Sequence, residues 1–351
     1  MQQKASPFVV VTSIAPPNAV LMQLAADCLE RGYGFIVIGD VKSPPYFELD
    51  GCDFYSISRQ LQLPFSTAAS CPQRHYARKN IGYLVALASG ASQIVETDDD
   101  NVPRADFYTP LKPRITLPVL ENTGWVNIYR YFSDAVIWPR GLPLDAVNAV
   151  HPALSEVAPR ETYCPIQQGL ADENPDVDAI YRLLLPLPQN FRKGVRVATA
   201  QNAWCPFNSQ NTVWFPDAYP LLYLPSYCSF RMTDIWRSFV AQRIAWANGW
   251  SILFREATVS QLRNEHRLMK DFEDEIPGYV NNRRIGEVLE ELDLKPGTDG
   301  IPDNLRLSYE ALVKLGVVGE QELPLLEAWL ADLAQIRGAS KSRDTVQTAS
   351  G

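Results

Sequence analysis

The chain has no Cys-x-x-Cys pair, no apolar run long enough to span a bilayer, and no glycine-rich loop after its first apolar segment. Each absence excludes something. The six cysteines (Cys28, Cys52, Cys71, Cys164, Cys205, Cys228) are scattered, which fits buried free thiols rather than a zinc site or a disulfide framework. The N-terminus carries no signal-peptide pattern, so a cytoplasmic enzyme is the expectation, working at the inner face of a membrane if it associates peripherally with one. Thr12-Ser13-Ile14-Ala15-Pro16-Pro17 follows the first apolar segment without glycine, which counts against a nucleotidyltransferase phosphate loop. Basic residues are outnumbered, 32 to 40, for a formal charge of -8. No nucleic-acid-coating surface is expected from such a balance. Internal repeats are absent, and there are only three histidines.

What is present is a full-sized globular chain of 351 residues, 46% hydrophobic and 21% charged, enough for one large domain with an appendage. Phe8-Val9-Val10-Val11 reads as a buried strand. Residues 18–31 read as a helix through Val20, Leu21, Leu24, Ala25 and Cys28, ended by Gly32 and Gly34. Phe35 to Asp40 reads as a second strand and Phe54 to Ile57 as a third. Alternation of this kind predicts a mostly parallel sheet with helices on its faces. Ile81, Leu84, Val85 and Ala88 predict one apolar helix face, followed by an apolar strand at Ile94-Val95. Trp125 to Phe132 reads as a further strand, residues 138–230 as loops and short strands, and residues 233–248 as a helix. Stripes at Ile285, Val288, Leu289, Leu292 and at Leu326, Leu330, Leu333 predict a helical appendage.

The chemistry concentrates at Asp98-Asp99-Asp100, directly after the apolar strand. Open α/β sheets bind ligands at the carboxyl ends of their strands. Clustered carboxylates repel one another unless a cation compensates, and Mg²⁺ or Mn²⁺ carrying a diphosphate suits them. Arg78, Lys79 and Asn80 open the preceding helix, where the helix end and the cations favour an anion. Thr12, Ser13 and Asp40 end the first two strands, the positions for nucleobase and ribose contacts; the hydroxyls serve equally as turn formers.

The order of strand, Arg78-Lys79-Asn80-Ile81-Gly82-Tyr83-Leu84 helix, strand and acid cluster resembles the GT-A class of nucleotide-sugar glycosyltransferases. More narrowly it resembles the STELLO-like family. Further blocks carry that resemblance in order: Trp138 to Leu144, Ile166 to Asp178, Pro206 to Thr212, and Asp234-Ile235-Trp236-Arg237 with Gln242-Arg243. The similarity is expected to run from about residue 8 to 290. It implies a Rossmann-like GT-A mixed sheet over 1–280, with a nucleotide-sugar half to about 135 and an acceptor half beyond. The helical appendage then covers 281–338, and a disordered tail 339–351. Plant members carry in addition a membrane anchor and a further domain, for which these residues show no counterpart. Their acid motif is Asp-Asp followed by a basic residue, whereas three acids stand here.

By that resemblance Asp98 and Asp99 meet the nucleotide, Asp98 and Asp100 hold the metal, and His266 in Arg263-Asn264-Glu265-His266 supplies a further ligand, unless it is a surface histidine. His75 and His151 read as structural. Asp234 is the candidate base for an inverting transfer, since the acceptor hydroxyl must lose a proton; helix capping explains an Asp there equally. Asp172, Asp176 and Asp178 form a second acid group that binds acceptor hydroxyls or lies in a solvated turn. Trp125, Trp138, Trp204, Trp214 and Tyr223 are sugar platforms or, more commonly for large aromatics, core. Arg140 faces phosphate or caps backbone. The implied reaction moves a sugar from a nucleoside-diphosphate donor, UDP-sugar first among them, to a glycan or glycoconjugate. A non-catalytic assembly protein, a nucleotidyltransferase and a sugar-nucleotide mutase are the alternatives.

Overall fold

The computed structural model describes residues 6–262 and 267–348, with side chains to residue 339. In the first half lie β1 (Pro7–Thr12), α1 (Ala19–Arg31), β2 (Gly34–Ile38), β3 (Asp53–Tyr55), α2 (Ile57–Gln60), α3 (Ser66–Ser70), α4 (Lys79–Ala88), β4 (Gln93–Thr97), β5 (Asn101–Pro103), β6 (Arg114–Leu120), β7 (Gly124–Trp125), β8 (Pro159–Tyr163) and β9 (Ile166–Asp172). The second half holds α5 (Ala179–Leu184), β10 (Arg196–Thr199), β11 (Ala203–Trp204), β12 (Asn211–Trp214), α6 (Thr233–Ala247), β13 (Ile252–Gln261), α7 (Leu268–Glu290), α8 (Ile301–Lys314) and α9 (Glu322–Thr348).

One eleven-stranded sheet runs β3-β2-β1-β4-β12-β9-β13-β10-β6-β8, with β5 joined to β13. Its first four strands are parallel. β12 enters antiparallel, setting Asn211 opposite Thr97. Successive side chains of a strand point to opposite faces, and β1 shows both faces covered. Val9 and Val11 join Leu21, Leu24 and Cys28 of α1, while Val10 joins Ile81 and Leu84 of α4. Burial on both faces explains the unbroken apolar run at 8–11. This mixed sheet between helices is the architecture that the GT-A resemblance implies.

The motif glycine Gly82 has a packing reason. A Cβ there would lie 2.6 Å from Val10 Cγ1 and 2.9 Å from Ile38 Cγ1, so only glycine lets α4 sit this close to the sheet. The helix is buried through Lys79–Ala86, wider than a single face, and Ala88 is exposed.

Two local expectations differ. Of residues 125–132 only Trp125 is strand, closing the two-residue β7 that pairs with β11, and Ile128–Tyr131 form a 3₁₀ turn. Their aromatic and β-branched content signals burial, which a turn supplies as well as a strand. Residues 57–60 start a helix, capped by the Ser56 side chain.

The boundary expected near residue 280 falls inside α7. Beyond it, α8 and α9 pack into the same core as α4 and α6 through Leu305, Tyr309, Leu326 and Trp329. Polar ties reinforce this. Glu322 accepts from the Ser226 and Tyr227 backbone at 2.9 and 2.7 Å and from the Tyr223 hydroxyl. Asp332 accepts from the Ser66 and Thr67 amides that open α3. α9 continues to Thr348, into the segment expected as a tail. Among the described residues no helix is long and apolar enough to cross a membrane.

Candidate active site

β1, β2 and β4 are parallel, so their carboxyl ends meet on one edge of the sheet. Two cavities open there. The first, about 340 Å³, is bordered by Thr12, Ser13, Asp40, Arg78, Asp99 and Phe230, among others. The second, about 310 Å³, is bordered by Asp98, Asp99, Asp100, Arg140, Asp176 and Asp234, among others. Thr12, Tyr76, Asp99 and Phe230 border both.

Hydrogen bonds across the sheet edge hold the acid turn. Ser13 Oγ donates to Asp99 Oδ2 at 2.5 Å, and Asn18 Nδ2 to the Asp99 carbonyl at 2.8 Å. Gln261, at the end of β13, donates to Asp100 at 3.1 Å. Lys79, fully buried in α4, donates to the Thr97 carbonyl at 2.9 Å and to Asp98 Oδ1 at 3.0 Å. Asp98 keeps 38% of its side chain exposed. Burial raises its pKa, and the Lys79 ammonium works against that rise.

The opposite wall is built on Arg140. Gly141, at φ 91°, turns the chain after it; a Cβ there would meet Ile235 of α6 at 2.4 Å. Arg140 thereby lies against α6. It donates to Asp176 through Nε and Nη2, both at 2.8 Å, and to Asp234 through Nη1 and Nη2 at 3.0 and 2.9 Å. Asp234 also accepts from the Tyr76 hydroxyl and from the Ser209 and Ile235 amides. Burial alone would raise the Asp234 pKa, but Arg140 outweighs it and holds the carboxyl down to about 2. Burial would lower the Arg140 pKa; the two carboxylates reverse that and raise it.

The expected residues therefore divide. Ser13, Asp40 and Arg78 border the first cavity, Thr12 and Asp99 both, and Asp98, Asp100 and Asp234 the second. Asp40 is also a loop tie, accepting from the Val41 and His75 amides. Arg78 is buried, donating to Gln60 and the Cys71 carbonyl. Lys79 lies beneath the acid turn. Asn80 points elsewhere and satisfies the Leu224 backbone through both amide atoms. His266 lies outside the described residues. Asp234 does not cap α6, whose cap position is Met232; it sits in the first turn.

The second acid group is dispersed and largely buried. Asp176 borders the cleft, Asp172 pairs with Arg104 at 2.6 Å, and Asp178 caps α5 and accepts from the Trp138 indole. Trp125, Trp138, Trp204, Trp214 and Tyr223 are all core. His151 bonds the Trp125 carbonyl; His75 accepts from the Ala77 amide and borders the first cavity. Tyr76, Ser209, Gln210, Phe230, Arg231 and Gln261 border the cleft without having been singled out for roles. Ser209 and Gln210 stand inside a block that carries the resemblance, the one signal that points to them.

A family model described as STELLO glycosyltransferases matches residues 231–342. Two Arabidopsis thaliana proteins, named Probable glycosyltransferase STELLO2 and Probable glycosyltransferase STELLO1, are each 28% identical over 328 residues. The chain is similar to the STELLO glycosyltransferases. The match takes in 87% of this chain and 42% of each plant protein, so the chain spans less than half the length of those relatives. The matched model begins within the cleft, at Arg231, takes in Asp234 and continues through α8 into α9.

Proposed function

We propose that this chain is a glycosyltransferase that carries a sugar from a nucleoside-diphosphate donor, UDP-sugar first among candidates, to a hydroxyl of a glycan or glycoconjugate. The observation that carries this is the pair of cavities joined across Asp99. The first lies at the ends of β1 and β2, where a nucleoside fits; the second lies among the carboxylates that end β4. A donor laid across both would have its diphosphate at Asp98–Asp100.

Among the described residues no three His, Cys, Asp or Glu side chains form a metal cluster by themselves. Mg²⁺ needs less: one or two carboxylates with substrate phosphates complete its shell. The carboxylates of Asp98 and Asp100 suit that role, Asp98 being shared with Lys79. Mg²⁺ or Mn²⁺ held there would neutralise charge on the departing diphosphate. The remaining work belongs to the chain. Ser13 and Asn18 orient Asp99, and Asp176 and Asp234 fix Arg140 against the sugar cavity.

An inverting course needs a base whose pKa lies near the working pH. Asp234, with both oxygens bonded and its pKa held to about 2, is a weak base in this arrangement, and its role is to position Arg140. The Arg140 clamp also favours a second reading, a non-catalytic scaffold, because it occupies two cleft carboxylates.

Calorimetric titration of UDP, GDP, CMP and their sugar forms, each with and without Mn²⁺, tests the proposal. Metal-dependent binding of one diphosphate supports it and names the base. A folded sample that binds none of them favours the scaffold. The cytoplasmic setting remains part of the proposal, tested by fractionation.

A further inference from the structure

Phe230 is the anomaly of the cleft. The five large aromatics that the sequence offered as sugar platforms are buried, whereas Phe230 is 48% exposed. It borders both cavities. Its ring is supported from behind by Tyr76 and His75, edge to face, with centroids 5.0 and 5.2 Å away.

The residues on either side are anchored by hydrogen bonds. Ser229 Oγ donates to the Asp274 carbonyl, and Arg231 donates to Glu275 at 2.9 and 3.0 Å. The Arg231 carbonyl accepts from Arg140. A half-bare apolar ring with anchored neighbours thus stands among Asp98, Asp99, Asp100, Ser209, Gln210 and Gln261. A ligand that fits must present an apolar face to the ring and hydroxyls to the polar groups around it. A pyranose does both, since its axial C–H bonds make one face apolar and its hydroxyls project from the rim.

We propose that Phe230 is the stacking platform for a pyranose ring at the junction of the two cavities. This rests on the glycosyltransferase reading. The ring belongs either to the sugar in transit or to the terminal sugar of the acceptor, and the two sources are separable by experiment.

The test compares wild type with Phe230→Leu, which keeps apolar bulk and removes the aromatic face, and with Phe230→Trp, which keeps the face. UDP, UDP-glucose, GDP and GDP-mannose are titrated with Mn²⁺ by calorimetry. Methyl hexopyranosides are then followed by saturation-transfer NMR with the diphosphate bound. Loss of roughly three- to tenfold in affinity for the nucleotide sugar, with the free diphosphate unchanged, identifies the donor sugar. Unchanged nucleotide sugar with loss of the hexopyranoside signal identifies the acceptor. Phe230→Trp restores binding in either case. Equal weakening of diphosphate and nucleotide sugar overturns the inference, because the ring then serves the nucleoside. No change in any of these also overturns it. If wild type itself binds no nucleotide, the transferase reading fails and this inference falls with it.

Discussion

Two carboxylates set two residues apart at the end of β4 do opposite things. Glu96 of β4 is fully buried and meets Arg237 of α6 through paired bonds of 2.9 and 2.8 Å. The Trp214 indole and the Tyr83 hydroxyl complete its shell. Two residues along the chain, Asp98 opens to the cleft, and on α6 Asp234 lies one turn before Arg237. The inner pair locks strand to helix; the outer acids face substrate-sized space. What separates them is position along the strand. Inside the sheet a charge must be fully paired, while past the strand end the acids can keep capacity for a ligand.

Breaking the inner pair is the sharpest test of that division. Glu96→Gln leaves the buried Arg237 guanidinium without its counter-charge and is expected to cost about 3–5 kcal/mol of stability. Urea denaturation measures it. A loss below 1 kcal/mol would mean that Glu96 is not a structural anchor. Asp100→Asn is the converse. Metal-dependent nucleotide affinity is expected to fall by roughly 3 kcal/mol, about a hundredfold, while the melting temperature holds. A variant that binds as well as wild type removes Asp100 from the metal site.

The inner region was the more legible of the two from sequence. Val9–Val11 and Ile94-Val95 announce buried strands by local composition, and α1 and α4 by spacing, because these signals lie within a few residues of each other. The cleft is assembled from distant partners. Ser13 and Asp99 are 86 residues apart, and Arg140 and Asp234 are 94 apart. No local pattern encodes that Arg140 would reach Asp234, so a free base and a helix cap were the readings available. Phe230 was silent for a related reason. An aromatic residue in sequence looks like core, and its exposure depends on Ser229 and Arg231 being anchored to α7. The C-terminal stripes correctly marked helices, but whether they stood apart or joined the core depended on Trp329 and Asp332 finding distant partners.

Acid titration separates the outer wall from the inner pair by a smaller effect. The Asp234 pKa in the folded protein lies below its ordinary 3.8, at about 2. The resulting stabilisation, on the order of 2 kcal/mol, is present above pH 3.8 and is lost as the pH falls toward 2. Asp234→Asn should flatten that acid limb. Donor affinity should fall along with turnover if Asp234 positions Arg140, whereas a pure loss of kcat with donor binding intact would return Asp234 to the role of base.

The smallest expected effect concerns a third sealed carboxylate, far from either group in sequence. Asp332 of α9 accepts from the Ser66 and Thr67 amides at 2.9 and 2.8 Å. It supplies from outside the cap that Phe65, at the α3 cap position, has no side-chain acceptor to provide. Loss of a capping acceptor costs about 1 kcal/mol, so Asp332→Ala should lower stability by that amount. Yet α3 leads directly into the segment bearing Arg74, His75, Tyr76 and Arg78, which walls the first cavity. If Asp332 is structural only, nucleotide affinity in the variant stays at the wild-type value while the unfolding midpoint drops. A fall in affinity larger than the fall in stability would mean instead that α9 holds the nucleoside wall in place, and that the C-terminal helices belong functionally to the cleft.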